Sequence, residues 1–479
     1  MDSPVQPIET GDRAPGRFPA EIQQKSYGLR SEALSPMETL AQSISTIAPT
    51  TTPVATIPLV CALAGNGTWL AYVLATIAIL LVAWCVGRFA RYSSSPGSLY
   101  TYASMILPPW LGATAAWSLL LAYVAAGSSC IGCFYQYANQ LLRDATGHMI
   151  STVLLSLGVT AVSTWIACRD VKISARLMLW IEAASVTAIS IVIVLVFALR
   201  GLHGDAAQFH LRGMTGSGLR LGLVLAIFSF VGFESATTLG AEARNPLKAI
   251  PRAVMQSAML GGAFFTICAY TEVVGFRAVG QDLGASQAPL RVLAVVVHVP
   301  VFGVLIDIGA LISLFAATLA CITAAARVLL LMAHNGLAHD SLRATHARNE
   351  TPSRAVIVSA LASLLPAVIL AARGVGGLDV YGWFGSLATY GFIVTYALVC
   401  FALPHYLHEK GMRHIGAKLI PWLGGLAMLL ALVGNLYPVP EGPYGKLPYI
   451  FVAYLAAGLL WFLLHARHKV AAASAASEG

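Results

Sequence analysis

The stretch Ala48-Pro49-Thr50-Thr51-Thr52-Pro53 interrupts an apolar segment that runs from about residue 38 to residue 63. Each proline removes a backbone hydrogen-bond donor and clashes with the preceding helical turn, while threonine side chains compete for the freed carbonyls. An unpaired backbone group is costly in lipid, so a broken helix persists in a membrane only where protein or a water-filled cavity supplies its partners. The stretch therefore predicts a membrane helix that is interrupted at a polar site.

A second interruption follows at Phe228-Ser229-Phe230-Val231-Gly232-Phe233-Glu234, where a glycine and a carboxylate lie within the apolar segment 219–241. Taken alone, either interruption also fits a proline kink or a tolerated glycine, both of which are common in membrane helices. The two interruptions lie five predicted crossings apart. That arrangement is typical of an inverted-repeat transporter at its binding site.

The composition of the whole chain is that of a polytopic membrane protein. Hydrophobic residues make up 57% of the 479 residues, charged residues only 10%, and the mean hydropathy is +0.75. Soluble proteins carry roughly 25% charged residues, so this chain has too few to cover water-facing surfaces. We expect about twelve spanning helices. They are predicted near residues 38–63, 69–89, 110–137, 150–167, 177–199, 219–241, 254–276, 301–333, 354–372, 379–403, 416–437 and 447–466.

The net charge of +8 would also suit a nucleic-acid-binding protein, but the basic residues lie in short segments between apolar runs. No basic patch interleaved with aromatic residues appears, so no nucleic-acid partner is expected. With the amino terminus inside, 21 of the 29 Lys and Arg residues fall in inner loops and tails. This asymmetry predicts a multi-pass protein of the cell membrane, embedded in the lipid bilayer, with both termini in the cytoplasm.

Motifs within the sixth predicted span and around the inner ends of other spans carry a family resemblance. They are Ser95-Pro96-Gly97-Ser98-Leu99-Tyr100-Thr101-Tyr102, Phe228 to Glu234 with Glu242-Ala243-Arg244-Asn245-Pro246 and Ile250-Pro251-Arg252-Ala253-Val254, Ala326-Arg327-Val328-Leu329 with Ala333-His334-Asn335-Gly336-Leu337, and Thr351-Pro352. In these motifs the sequence resembles the amino acid–polyamine–organocation (APC) transporter superfamily. The match runs along most of the chain, with the motifs in the expected order and spacing.

The resemblance implies an all-α integral membrane protein with the LeuT-like fold, which works by alternating access. Two inverted repeats of five helices each would carry the broken helices 1 and 6. We expect the first repeat at 37–200, an outer loop at 201–218, the second repeat at 219–403 and two appended helices at 404–466. Residues 1–36 are expected to form a disordered cytoplasmic arm, and residues 467–479 a cytoplasmic tail.

The resemblance also implies that the broken sixth helix holds the ammonium group of a substrate on exposed carbonyls. By position, these carbonyls are those of Phe228, Ser229 and Val231. Gly232 would let the backbone approach the substrate closely, because it has no side chain. Phe230 and Phe233 are candidate gates, although aromatic residues at this density more often serve packing.

The resemblance further implies that backbone N–H groups of the broken first helix hold a substrate carboxylate. By position, these groups belong to Thr50 and Thr51. The partial positive charge and free donors of a half-helix amino end agree with this role. Ile47, just before the break, would lend a carbonyl. Many relatives have Gly-Ser-Gly where this chain has Pro49-Thr50-Thr51, and Pro49 has no N–H group. One carboxylate donor is therefore missing, which leaves a polyamine or ethanolamine open as an alternative to an amino acid.

Four acidic residues fall within predicted spans: Glu182, Glu234, Glu272 and Asp307. Intramembrane acids are costly and mark candidate functional sites. Glu234 follows the unwound segment and is either a coupling group or a cap on the resumed half-helix. Glu182 is either a proton site or an interhelical hydrogen-bond partner. Glu272 and Asp307 are expected near the outer face as solvated structural carboxylates.

These residues predict a secondary active transporter (permease) for amino acids or related amines. The lysine that some proton-coupled relatives carry in helix 5 would fall at about Ser185, and that helix contains no lysine. We therefore expect coupling to protons through Glu234 or Glu182, since a buried carboxylate can bind and release a proton. Exchange of two substrates is the alternative.

Two other classes of protein fit the sequence less well. A membrane-embedded enzyme would need clustered acids or histidines and a sizeable soluble domain, but the longest connections between spans are only about 20–25 residues. A channel would lack the paired broken helices. No catalytic residue, metal site or cofactor is predicted, since Cys130 and Cys133 have neither a second cysteine pair nor nearby histidines.

Overall fold

The computed structural model describes residues 29, 33–93, 95–169, 172–201, 205–346, 349–412, 415–437, 439 and 442–466. Most of the predicted arm and the whole of the predicted tail lie outside these residues. In chain order the helices are α1 (Pro36–Ile47), α2 (Ile57–Ala64), α3 (Thr68–Ala90), α4 (Ser98–Ser104), α5 (Pro109–Thr146), α6 (Thr152–Arg169), α7 (Lys172–Val196), α8 (Ala206–Phe209), α9 (Gly216–Phe228), α10 (Pro246–Ala278), α11 (Pro289–Val296), α12 (Pro300–His334), α13 (Ser353–Ala372), α14 (Gly377–Glu409), α15 (Ile415–Leu436) and α16 (Leu447–Trp461).

Each apolar segment predicted from the sequence overlaps at least one helix. Ten segments of the described chain are long and apolar enough to cross a membrane, and one of them, Pro36–Ala90, contains the first two predicted spans. The sixth predicted span begins with α9, which is apolar but shorter. The all-helical membrane fold is therefore confirmed, whereas the count of twelve crossings stays a prediction.

Three long helices, α5, α12 and α14, form the buried centre of the molecule, and α5 contacts both of the others. Small residues allow the close approach. A Cβ atom added to Gly132 of α5 would lie only 2.6 Å from Val380 of α14. Small residues serve helix packing in this way in membranes, where burial of apolar surface drives association only weakly. The peripheral helices α6, α15 and α16 expose apolar side chains, as lipid-facing helices do.

The first helix is interrupted where the prolines predict. Ala48 follows the end of α1 in a left-handed conformation with φ 50°, and the Thr51 N–H donates to the Ala48 carbonyl across a turn. The helix then resumes through a π-helical turn, Thr52–Thr56, before α2. Pro53 in this turn has no N–H to donate, which accounts for the wider hydrogen-bonding pattern.

The sixth helix is interrupted as well. Helix α9 ends at Phe228, a series of turns follows, and a 3₁₀ turn, Ser235–Leu239, continues the chain. Gly232 has φ 98°, a conformation that residues with a Cβ rarely adopt. A Cβ atom at this position would also collide with the side chain of Thr46 in α1.

The two interrupted helices lie against each other. The Ser43 hydroxyl of α1 donates to the Phe233 carbonyl at 2.8 Å and accepts from the Ala236 N–H at 3.1 Å. The hydroxyls of Thr46 and Ser235 are 2.9 Å apart. Two backbone groups at the second break, the Phe233 carbonyl and the Ala236 N–H, thus find a partner on the first helix, as a broken helix in a membrane requires.

Candidate substrate site

The first break already holds a carboxylate. The backbone N–H and the hydroxyl of Thr50 both donate to Oε1 of Glu182 on α7, each at 2.8 Å, and both residues are buried. An amino end of a half-helix favours an anion, and here the anion is a side chain of the protein itself. The interhelical hydrogen bond considered for Glu182 is present, while its role as a proton site stays a prediction.

The other two residues predicted to bind substrate at this break are also buried. Ile47 is the last residue of α1. The Thr51 N–H is engaged with Ala48, but the Thr51 hydroxyl has no hydrogen-bond partner among the described residues. Thr51 therefore offers a buried hydroxyl to a substrate, whereas both donors of Thr50 would first have to leave Glu182.

The second break leaves two carbonyls without a hydrogen-bond partner in the part of the chain that the structure describes. The Phe228 carbonyl accepts from the Val231 N–H at 3.0 Å. Within the described chain the carbonyls of Ser229 and Val231 accept no hydrogen bond. A buried unpaired carbonyl is an acceptor awaiting a donor, such as an ammonium group. Two of the three predicted acceptors are therefore available.

The aromatic side chains of the second break pack into the core. The rings of Phe230 and Phe233 are fully buried. Their centroids lie 5.4 Å from those of Phe265 and Tyr396, respectively. This is ordinary aromatic packing, and a gating role for either ring stays a prediction.

Glu234 is held by two tyrosines from distant helices. Its Oε1 accepts from the Tyr123 hydroxyl of α5 at 2.8 Å, and its Oε2 accepts from the Tyr396 hydroxyl of α14 at 2.7 Å. The carboxylate makes no capping bond to the 3₁₀ turn that follows. The sequence did not single out these tyrosines, although a tyrosine inside a membrane span needs a partner for its hydroxyl.

Glu272 does not lie in a solvated position, contrary to expectation. The residue is fully buried in α10, and neither carboxylate oxygen has a hydrogen-bond partner among the described residues. It lies within electrostatic range of Tyr72 and Tyr137. The Tyr72 hydroxyl is 3.0 Å from that of Ser229, and the Tyr137 hydroxyl donates to the Val54 carbonyl at 2.6 Å. These two tyrosines thus contact the two broken segments, Tyr72 the second and Tyr137 the first.

The expectation of a solvated position was also wrong for Asp307. Asp307 is buried, and it accepts from Nε of Arg291 at 2.6 Å, while Arg291 also pairs with Asp144. Arg291 lies on α11, a short helix whose residues Leu290 and Leu293 are fully buried. The predicted spans 254–276 and 301–333 leave this stretch as a connection, so the sequence does not predict that α11 covers this end of the molecule.

At the opposite end a buried ion pair links the second break to α12. Nε and Nη2 of Arg327 contact the two carboxylate oxygens of Glu242 at 2.7 and 2.9 Å. The adjoining backbone is also fixed, because the Leu34 N–H donates to the Glu242 carbonyl and the Arg244 N–H to that of Leu34. A bidentate pair of this kind is among the stronger polar contacts in a protein.

The amino acid permease family model matches residues 38–473, which is most of the chain. The chain belongs to the amino acid permease family. Its sequence is 24% identical over 371 residues to the low-affinity putrescine importer PlaP of Escherichia coli, which covers 75% of this chain and 78% of that protein. It is 24% identical over 423 residues to the methylthioribose transporter of Bacillus subtilis, covering 84% and 87%. The names of these two relatives thus refer to chemically different small molecules.

A solved structure confirms the fold of this family member. The structure of MhsT in complex with L-phenylalanine matches with a TM-score of 0.55 at 15% identity, covering 85% of this chain and 99% of that one. The agreement at so low an identity concerns the LeuT-like fold alone. Together with the two broken helices, it establishes the architecture in which the residues above are placed.

Proposed function

We propose that the protein is a secondary active transporter that moves amino acids or related amines across the cell membrane by alternating access. The observation that carries this proposal is the pair of helix breaks, which contact each other and leave the carbonyls of Ser229 and Val231 without a hydrogen-bond partner among the described residues. In inverted-repeat transporters such discontinuous helices form the substrate site. The family assignment is in keeping with it.

The substrate ammonium binds to the carbonyls of Ser229 and Val231, next to that of Phe228 and close to Gly232. At the first break the Thr51 hydroxyl and the carbonyl of Ile47 face the same substrate. Thr50 becomes a donor to the substrate when its bonds to Glu182 open. Phe230 and Phe233 move with the second break and close the site.

Transport is driven by protons through Glu234 or Glu182, with exchange of two substrates as the alternative. Both carboxylates are buried. Glu234 is hydrogen-bonded to α5 and α14, and Glu182 is hydrogen-bonded to Thr50 at the first break. A change in protonation would alter these bonds and hence the contacts between helices. The repeats at 37–200 and 219–403 move relative to each other, with both termini in the cytoplasm.

An amine without a carboxylate is the second candidate substrate, and a specific observation favours it. The donors of Thr50 are occupied by Glu182, and Pro49 has no N–H, so few donors are left for a carboxylate. Glu272, in contrast, is a buried carboxylate without a hydrogen-bond partner in the described part of the chain, and a cation would compensate it. A diamine would place one ammonium at the second break and the other at Glu272.

A competition panel in proteoliposomes tests both candidates. Saturable uptake of labelled leucine or labelled putrescine is measured in competition with unlabelled amino acids, polyamines and ethanolamine.

The Glu272→Gln variant tests the diamine assignment. If a diamine binds at Glu272, this variant lowers putrescine uptake at least about tenfold, because a desolvated charge pair is lost. Uptake of a neutral amino acid by the same variant is the internal control and stays within about twofold. Equal losses for both substrates, or no loss for putrescine, would refute the diamine assignment while leaving transport itself intact.

A further inference from the structure

A groove opens between α3 and α10, where α3 ends and α10 begins. Its cavity volume is about 550 Å³, and four cationic side chains line it: Arg88, Arg91, Lys248 and Arg252. None of the residues that line it is acidic. We call this surface the basic groove. It lies at the end of the molecule that the charge distribution places in the cytoplasm, away from the substrate site.

The positive charge of the basic groove is not neutralised by the described part of the chain. Arg91, Lys248 and Arg252 are exposed, and no described carboxylate pairs with any of the four cations. The Arg88 guanidinium stacks 4.7 Å over the ring of Trp84, which also lines the groove. Four like charges around one cavity repel one another and attract an anion.

Helix α10 strengthens this attraction. The helix begins at Pro246, and its first turn lines the groove through Leu247 and Lys248. The amino end of a helix carries partial positive charge. The dipole of this 33-residue helix therefore acts in the same direction as the four cationic side chains.

An apolar surface continues from the groove along both helices. Met259 and Leu260 of α10 are 55% and 65% exposed, and Ile77 of α3 is 53% exposed. At 1.5 Å per residue, Leu260 lies about 12 Å deeper than Arg252 along the helix axis. A basic pocket at the water boundary that passes into an exposed apolar surface matches the two parts of a phospholipid.

We propose that the basic groove binds the headgroup of an anionic phospholipid, whose acyl chains lie along the exposed surfaces of α3 and α10. Basic pockets between membrane helices on the cytoplasmic side recognise anionic headgroups in this way. A soluble anion would use the charges but not the apolar surface, and a zwitterionic lipid would use the surface but little of the charge.

The proposal is tested with the delipidated full-length protein in detergent, titrated with dioleoylphosphatidylglycerol or dioleoylphosphatidylcholine and followed by native mass spectrometry. The two lipids carry the same chains and differ in the headgroup. Tight binding of phosphatidylglycerol is expected, and the variant R88Q/R91Q/K248Q/R252Q weakens it at least about tenfold, because each cation near an anionic headgroup contributes to the attraction. The thermal unfolding of the variant, measured in parallel, establishes that it is folded.

The matched control removes four cations from the opposite end of the molecule in R143Q/R212Q/R373Q/K446Q, since these side chains are exposed and do not line the groove. Its affinity for phosphatidylglycerol stays within about twofold of the wild type, although it loses the same net charge. If the two variants lost affinity for phosphatidylglycerol equally, binding would depend only on the net charge of the protein, and the proposal would be overturned. Equal binding of the two lipids by the wild type would overturn it as well.

Discussion

Glu234 combines full burial with two hydrogen bonds to tyrosines on different helices. Both of its oxygens act as acceptors, which suits the ionised carboxylate. Protonation would turn one carboxylate oxygen into a donor. The tyrosine hydroxyl that donates to this oxygen, that of Tyr123 or Tyr396, would then have to turn its hydrogen away. The protonation state of one residue is thereby linked to the contacts of α5 and α14.

Replacement of Glu234 by glutamine tests this link, because it keeps the size of the side chain and removes its titration. Glu234→Gln is expected to lose most of the stimulation of uptake by an imposed pH gradient, measured in proteoliposomes with and without sodium. Tyr396→Phe is the control, since it removes one hydrogen bond and keeps the carboxyl group. Tyr396→Phe should transport more slowly but still respond to the gradient. Glu182→Gln is measured alongside, and a normal response of both glutamine variants would exclude proton coupling through these two residues.

At the scale of the elements, the two helix breaks depend on each other. Gly232 has positive φ, and its missing side chain leaves room for Thr46 of α1. The hydroxyls of Ser43 and Thr46 then reach the backbone and side chains of the second break. The close approach at Gly232 is thus made by α1, in addition to any approach by a substrate.

Gly232→Ala should destabilise the protein by more than about 1 kcal/mol, because a Cβ is strained at this φ, and it should abolish uptake. Gly158→Ala is the matched control. Gly158 lies in α6, and a Cβ atom added there would meet no other atom within 4 Å, so alanine is expected to be neutral or slightly stabilising. Thermal unfolding in detergent and uptake in proteoliposomes are measured for both. Similar results for the two variants would mean that contact between the breaks is unimportant.

The breaks could be predicted from the sequence because Pro49, Pro53 and Gly232 act on the backbone through local rules. The partners of Glu234 could not be predicted, since Tyr123 and Tyr396 lie 111 and 162 residues away along the chain. Such contacts depend on how separate helices pack, and apolar periodicity does not specify that packing.

The surroundings of the acidic residues could not be predicted from the sequence either. Glu182 was recognised as intramembrane, but its contact with Thr50 depends on α7 crossing the first break. Glu272 and Asp307 were expected to be solvated because they fall near the ends of apolar segments. Helix α11 covers that end of the molecule instead, and an eight-residue helix leaves little trace in a span prediction.

At the scale of the whole molecule, charged pairs hold the helices together at both ends. Arg327 and Glu242 join α12 to the segment after the second break, while Arg291 joins α11 to Asp307 of α12 and Asp144 of α5. Alternating access requires contacts at one end to open while those at the other end remain. Discrete ion pairs suit such a two-state rearrangement, because they are either formed or broken.

The concentration dependence of uptake into empty and substrate-loaded proteoliposomes tests the central claim most directly. A carrier that alternates around one site saturates, and substrate on the inner side accelerates uptake because the loaded carrier returns. For the wild type we therefore predict saturable uptake that is faster into loaded vesicles, and for Gly232→Ala little uptake under either condition. Uptake that rises in proportion to concentration and is unaffected by loading would contradict the account and indicate a channel.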